Sequence, residues 1–525
     1  MEVVVEHINS VVLSLALLIA GALTWAAWRL INYVWFTPKK VEKWLREQGF
    51  SGNPYRLWHG DLKDIKKMTA QEYSKPISLS DDILPRAFPF HHQILHKYGK
   101  KSYFWQGPVA RVLIMDPEML REILYKYTIF QKPPVSENPI FKLLVTGLVS
   151  QEGEGWAKHR TLLNPAFKLH NLKQMLPAMH ACCSSMVRKL ENLVKEKGTV
   201  EMDLWPHLGS LSADVISRTA FGSSYEEGKR IFQLQTEQAK LAFSYTQSIY
   251  IPGWRFLPTK TNRRMVEIYK EVRGLMLGII NKRIKAMRMG EAENDDLLGI
   301  LMDSNFKAIR TGRRNNVGLT IDEVMEECKL FYFAGQETTT NLLAFTIVML
   351  CKHQDWQARA RQEVFQVFGN TIEPDFERLN RLKIVTMILY EVLRLYPPAA
   401  MLFRKTTGKT ELRGVAIPNG MELVLPIIFV HHDTDLWGDD AKEFKPDRFS
   451  EGLEKATKGQ ASFFPFSSGP RVCIGQHLAM AEVKLAMAMI LHHFSLDLPP
   501  SYVHAPFSLL TLQPQYGVKI ILTKA

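Results

Sequence analysis

The chain has 525 residues, 46% hydrophobic and 23% charged, which excludes a disordered chain and allows one large enzyme domain. Its net charge of +13 predicts attraction to an acidic partner or a negative membrane face. No basic run is interleaved with aromatics, so no nucleic-acid partner is expected, and five cysteines without a C-x-x-C pair argue against a disulfide framework or a structural zinc.

Residues 8–28 carry no charge, and as a helix they span about 30 Å, one hydrocarbon thickness. Glu2 and Glu6 precede this stretch, and Arg29, Lys39, Lys40, Lys43 and Arg46 follow it. The positive-inside rule then places the bulk of the chain in the cytosol. Trp25, Trp28, Tyr33 and Trp35 suit an interfacial aromatic belt. A cleaved signal peptide is the competing reading, but its positive residues would come first. Residues 1–36 therefore read as a membrane anchor and 37–525 as a single domain. The basic segment 39–46 suits anionic headgroups.

Helical periodicity dominates the rest, at 171–195, 230–242, 262–288 and 359–368. Strand-like pieces are few: 109–115, 414–417, 422–426 and 518–522. Residues 290–318 are polar and charged and read as a solvated connection. The class is mainly α with a small β-sheet region (α+β), with no second domain boundary.

Thr320 and Glu323 form a capping box that starts a long helical pattern, about 48 Å to Cys351. Inside it lies Ala334-Gly335-Gln336-Glu337-Thr338-Thr339. A glycine in mid-helix costs about 1 kcal/mol against alanine and signals a close approach. A threonine there can bond back to a carbonyl. Beside an acid, the result is a polar notch in an apolar helix.

Glu391 and Arg394 share one helix face, ahead of Tyr396-Pro397-Pro398. Phe444 to Phe449 (F-K-P-D-R-F) comes shortly before Phe466 to Gly475 (F-S-S-G-P-R-V-C-I-G). The latter holds one cysteine, Cys473, in a glycine-bounded loop ahead of a helix-forming run. Such a loop can pass close to a flat cofactor, and the helix N-terminus favours thiolate. Arg471 offers a fork for a carboxylate.

F-x-x-G-x-R-x-C-x-G resembles the haem-binding signature of the cytochrome P450 family. The resemblance implies the P450 fold, haem b (iron protoporphyrin IX) and Cys473 as its axial iron ligand, with Phe466, Gly469, Arg471 and Gly475 around it. Trp156 and Arg160 resemble the family's W-x-x-x-R helix and, with Arg404, are expected at the haem propionates. Glu391, Arg394 and Arg448 resemble its structural triad. Glu337 and Thr338 resemble its A-G-x-[DE]-T motif, which implies proton relay for the acid and assistance to dioxygen activation for the threonine. With only Pro38 and Pro54, the hinge after the anchor is atypical for the family.

Residues 43–49 with Gly60-Asp61, and residues 252–258, resemble the plant family seventy-two clan. That implies oxidation of a terpenoid of the triterpenoid, iridoid, gibberellin or brassinosteroid class. Electrons from NADPH would arrive through a flavoprotein reductase, O2 would be the co-substrate, and a single-pass anchor would hold the enzyme in the endoplasmic reticulum membrane. Residues 133–147, 399–402 and 507–512 are expected to line the substrate side, and 243–258 to reach the bilayer. Two rivals stand beside this reading: a haem-thiolate isomerase or dehydratase acting on hydroperoxides, and a non-catalytic lipophile-binding protein. The acid–threonine pair counts against the first and Cys473 against the second.

Overall fold

The computed structural model describes residues 2–134, 139–144, 146–195, 198–246, 257–291, 296–311, 318–373 and 375–525. The segments 135–138, 145 and 247–256, within the expected substrate-side and membrane-facing stretches, lie outside them. Helices dominate, and one hydrophobic core runs from Leu45 to Leu522.

The N-terminal helix, Glu2–Ile31, is followed without a break by a π-helical turn, Asn32–Phe36, and a basic helix, Thr37–Glu47. Residues 7–47 hold a stretch long and apolar enough to cross a membrane, and its apolar window packs against nothing in the protein. Pro38 therefore sits inside a continuous rod where a hinge was expected. Proline has no N–H, so the carbonyl of Val34 loses its α-helical donor. Tyr55 supplies one: its hydroxyl donates to Val34 O at 2.5 Å. Glu42 accepts from the backbone N–H of Tyr55 at 3.3 Å, which pins the rod to the domain a second time.

Six strands form the main sheet, in the order Ser51–Gly52, Ser102–Gln106, Val109–Leu113, Glu422–Leu425, Leu402–Thr406 and Phe130–Gln131. Val109–Leu113 pairs in parallel with Glu422–Leu425, which pairs antiparallel with Leu402–Thr406 in the register Arg404↔Leu423. This register places Arg404 in a ladder. The segment 290–318 differs from expectation. It contains a helix, Leu297–Thr311, that buries Leu297, Leu298, Leu301 and Met302. Charged flanks hide this apolar face in the sequence.

The central helix spans Ile321–Lys352 and starts on the expected capping box. Thr320 Oγ1 accepts from Glu323 N at 3.1 Å, and Glu323 Oε2 accepts from Thr320 N at 2.8 Å. Its glycine, Gly335, meets a protein neighbour. A Cβ there would lie 2.8 Å from Ile216 Cδ1 on helix Trp205–Phe221. The close approach is a helix crossing.

Helix Gln476–His493 leaves the cysteine loop and buries Glu482 in the core. Burial pushes this carboxyl up to about 8, with Ser212 pulling the other way. Between its ordinary 4.5 and about 8, the unfolded chain releases a proton that the fold retains. Stability therefore falls as pH rises through that window. Glu482→Gln removes this loss, worth on the order of a few kcal/mol. Thermal melts of the variant should show a gain over the parent at pH 8 and little difference at pH 4.5.

Candidate active site around Cys473

The loop ahead of Cys473 is shaped by two left-handed residues, Ser467 at φ +63° and Gly469 at φ +69°. Cys473 N donates to Phe466 O at 2.9 Å and closes the loop. A Cβ on Gly469 would lie 2.7 Å from the carbonyl of Leu124. Gly469 is thus required by backbone packing against helix Pro117–Tyr125, where the sequence suggested a cofactor. Gly475 has only an ordinary contact, Phe167 Cε1 at 3.8 Å from a built Cβ.

Cys473 is the exposed cysteine; Cys182, Cys183, Cys328 and Cys351 are buried. Yet protein surrounds the Cys473 thiol closely enough that burial pushes its pKa up, against the N–H of Gly475 and the charge of Arg160. Both observations hold when a thiol lines an accessible surface inside the protein. The expected pull toward thiolate is present, but burial outweighs it. A bound iron would reverse the balance, since metal ligation displaces the proton.

Four cations gather near the cysteine loop, and Arg160 is the one that acts on this thiol. Arg160, on helix Gly153–Leu163, donates from Nη1 to Val472 O at 3.0 Å. Arg404 and the Arg471 side chain are each 3% exposed. Arg471 donates to Gln151 O at 2.9 Å, pairs with Glu152, and stacks over Trp156 at 4.3 Å. Trp156 therefore carries Arg471, and Tyr127 backs the indole at 4.9 Å. The fourth cation, Lys132, has no sequence signal. Its Nζ donates to Val149 O at 2.8 Å.

Charge in this cluster is out of balance. Burial, with Arg404 and Arg471 adding to it and Glu152 opposing, pushes Lys132 down to about 7. Burial pushes Arg404 down to about 10, with Glu152 opposing and Arg471 adding. Arg160 and Arg471 are also lowered by burial. Buried like charges with one carboxylate among them call for an anionic ligand. An iron porphyrin with two propionates beside an accessible thiol fits this donor set.

A second ion lattice supports the loop. Glu391 and Arg394 are fully buried and bidentate, at 2.8 and 2.7 Å. Arg394 also donates to His431 O at 2.8 Å and to Glu443 O at 3.0 Å. Arg448 Nε lies 3.4 Å from Glu391 Oε1, which completes the expected triad. Its shorter ion pair is to Asp440, at 2.7 Å, a partner that the sequence does not reveal. Breaking such a buried pair costs about 3–5 kcal/mol, because the remaining charge is stranded.

In the central helix, Ala334 is exposed while Tyr332 before it and Thr339 after it are buried. Thr338 Oγ1 donates to Ala334 O at 2.7 Å, the back-bond that the notch requires. Glu337 is held from outside the helix. Thr511 donates to its Oε1 at 2.8 Å and Gln513 Nε2 donates to the same oxygen at 3.3 Å. Burial raises its pKa, with Thr511 and Lys240 opposing. Of the expected substrate-side stretches, Leu143, Leu144 and Leu510 pack with Ala239, Ala242, Met265 and Phe333 in one apolar cluster. Ala400, Met401 and Leu402 join the main core instead.

The profile of the Cytochrome P450 family matches residues 86–520, and the chain belongs to that family. The chain is 56% identical over 498 residues to "Cytochrome P450 72A397" of Kalopanax septemlobus, covering 95% of each. It is 52% identical over 500 residues to "7-deoxyloganic acid hydroxylase" of Catharanthus roseus, covering 95% of this chain and 96% of that one. Among solved structures it resembles retinoic acid bound cyanobacterial CYP120A1, at a TM-score of 0.73 and 23% identity, over 90% of this chain and 98% of that chain, which shows the fold. It is a P450 monooxygenase of the CYP72A type, and the family implies a haem cofactor.

Gly469→Ala should damage the site without touching a charged group. It places a Cβ at positive φ and against Leu124 O, a strain on the order of 1–3 kcal/mol. The purified variant should show a reduced haem-to-protein ratio and faster haem loss on warming. Gly475→Ala, whose Cβ would meet Phe167 at an ordinary contact distance, should fall short of that effect.

Proposed function

We propose that the protein is a single-pass enzyme of the endoplasmic reticulum membrane, with residues 37–525 as one cytosolic catalytic domain that oxidises a lipophilic plant terpenoid. The carrying observation is the accessible Cys473 thiol next to Arg160, with the desolvated cations Lys132, Arg404 and Arg471 grouped around Glu152. Cys473 Sγ would hold the iron, and Lys132, Arg160, Arg404 and Arg471 would receive the two propionates. Phe466, Gly469 and Gly475 shape the loop, and Trp156 keeps Arg471 in place. Bound haem supplies dioxygen activation; thiolate ligation favours O–O cleavage.

Thr338 and Glu337 serve the proton side of the reaction. Glu337, desolvated and raised, retains a proton to a higher pH than an exposed acid would. Thr338 offers a hydroxyl beside it on the same helix. The substrate reading rests on the apolar cluster around Phe333 and Leu510 and on the relative named 7-deoxyloganic acid hydroxylase. Triterpenoid, iridoid, gibberellin and brassinosteroid skeletons are the candidates. Electrons from NADPH arrive through a flavoprotein reductase, which the net charge of +13 suits by attracting an acidic partner.

The microsomal protein, reconstituted with reductase and NADPH, should convert at least one terpenoid of a panel that includes 7-deoxyloganic acid, with gain of one oxygen by mass spectrometry. Its reduced carbonyl spectrum should show the red-shifted thiolate band, and Cys473→Ala should lose it. A parent without that band would end the thiolate assignment. A normal band with no terpenoid product would end the substrate reading alone.

A further inference from the structure

Glu337 and Thr338 are legible in the sequence as a pair on one helix, but the groups that hold the acid come from 174 and 176 residues further on. The C-terminal hairpin pairs Pro506–Ser508 with Leu512–Pro514. Thr511, at its turn, is 8% exposed. Asn341, fully buried one turn beyond Glu337 on the central helix, donates from Nδ2 to Thr511 Oγ1 at 2.9 Å. A hydroxyl has one proton. Thr511 thus accepts from Asn341 and gives its own proton to Glu337 Oε1 at 2.8 Å. Gln513 Nε2 adds a second donor to the same oxygen at 3.3 Å.

Two donors on Oε1 have a chemical consequence. The carbonyl oxygen of a carboxylic acid is its stronger acceptor, so two donors on Oε1 favour the proton on Oε2. Oε2 makes no hydrogen bond among the described residues and is not among the buried unpartnered atoms, so it reaches accessible space. Thr511, Gln513 and Asn341 are neutral, and Lys240 on helix Tyr225–Thr246 is the charged group that acts on the acid.

We propose that the hairpin fixes which oxygen of Glu337 bears the proton: Thr511 and Gln513 are positioning residues that occupy Oε1 and leave Oε2 as the delivering atom. Glu337 gives up the proton on Oε2 and takes one back from solvent in each turnover, so it is unchanged overall. The electrons come from NADPH. The inference rests on the proton role given to Glu337 above.

The test uses the haem-loaded full chain with reductase and NADPH and no added substrate. The first readout is the C=O stretching band of protonated Glu337, isolated in the resting enzyme as the infrared difference from Glu337→Gln. The second is the share of NADPH electrons released as hydrogen peroxide across neutral pH. Thr511→Val should move the band and raise the ratio of peroxide to water formed by roughly three- to tenfold, the factor one hydrogen bond carries. Thr511→Ser should restore both. Gln513→Leu should shift both in the same direction by less, and stands in if Thr511→Val fails to fold. In a Glu337→Gln background, Thr511→Val should add nothing.

A band absent or unmoved, a serine variant that fails to rescue, or a Thr511→Val effect that persists without Glu337 overturns the hairpin's role while leaving Glu337 its own. If Glu337→Gln leaves the peroxide share unchanged, the proton role of Glu337 falls, and the hairpin inference falls with it.

Discussion

Buried positive charge without enough negative charge to match it is the constraint from which the site follows. Lys132, Arg160, Arg404 and Arg471 come from a loop, a helix, a strand and the cysteine loop. No local sequence pattern unites them, and Glu152 is the carboxylate among them. Taking cations out of water is costly, and grouping them is costlier. The arrangement becomes favourable when a dianion is delivered. In the proposed site the accessible thiol of Cys473, next to Arg160, would narrow that dianion to one that also carries a metal. Charge and softness of ligand together select an iron porphyrin more narrowly than either would alone.

Holding this unfavourable set in place falls to the surrounding lattice. Glu391 and Arg394 are buried with every strong contact satisfied: each other, the carbonyls of His431 and Glu443, and the N–H of Lys445 on Glu391. These contacts tie helix Lys383–Leu395 to the chain that leads into the cysteine loop. Gly469, wedged against Leu124, then sets how that loop lies on the domain. At the far end, Tyr55 donates to the Val34 carbonyl that Pro38 cannot serve, so the N-terminal helix continues into Thr37–Glu47 as one helical rod.

What was legible in the sequence was local. The capping box of Thr320 and Glu323 fixed the start of the central helix to the residue, because both bonds lie within one turn. Glu391 and Arg394 could be paired from their i, i+3 spacing, and Thr338 could be given its back-bond. What escaped was non-local or masked. Lys132, Asp440, Thr511 and Gln513 act on residues brought near only by the fold. Gly335 marks a close approach in the sequence, but its partner, Ile216, is more than a hundred residues away. Helix Leu297–Thr311 was lost because polar, charged flanks swamp its apolar face. The N–H of Gly475 and the charge of Arg160 do favour thiolate at Cys473, yet desolvation is the larger effect.

The central claim is that buried cations select the cofactor through its two carboxylates. Reconstitution of the apoprotein with haem, and in parallel with its dimethyl ester, tests this directly. The ester keeps the iron, the ring and the thiolate bond and removes both negative charges. The account predicts that haem is taken up and retained while the ester binds far more weakly. Equal uptake and retention of the two would contradict it.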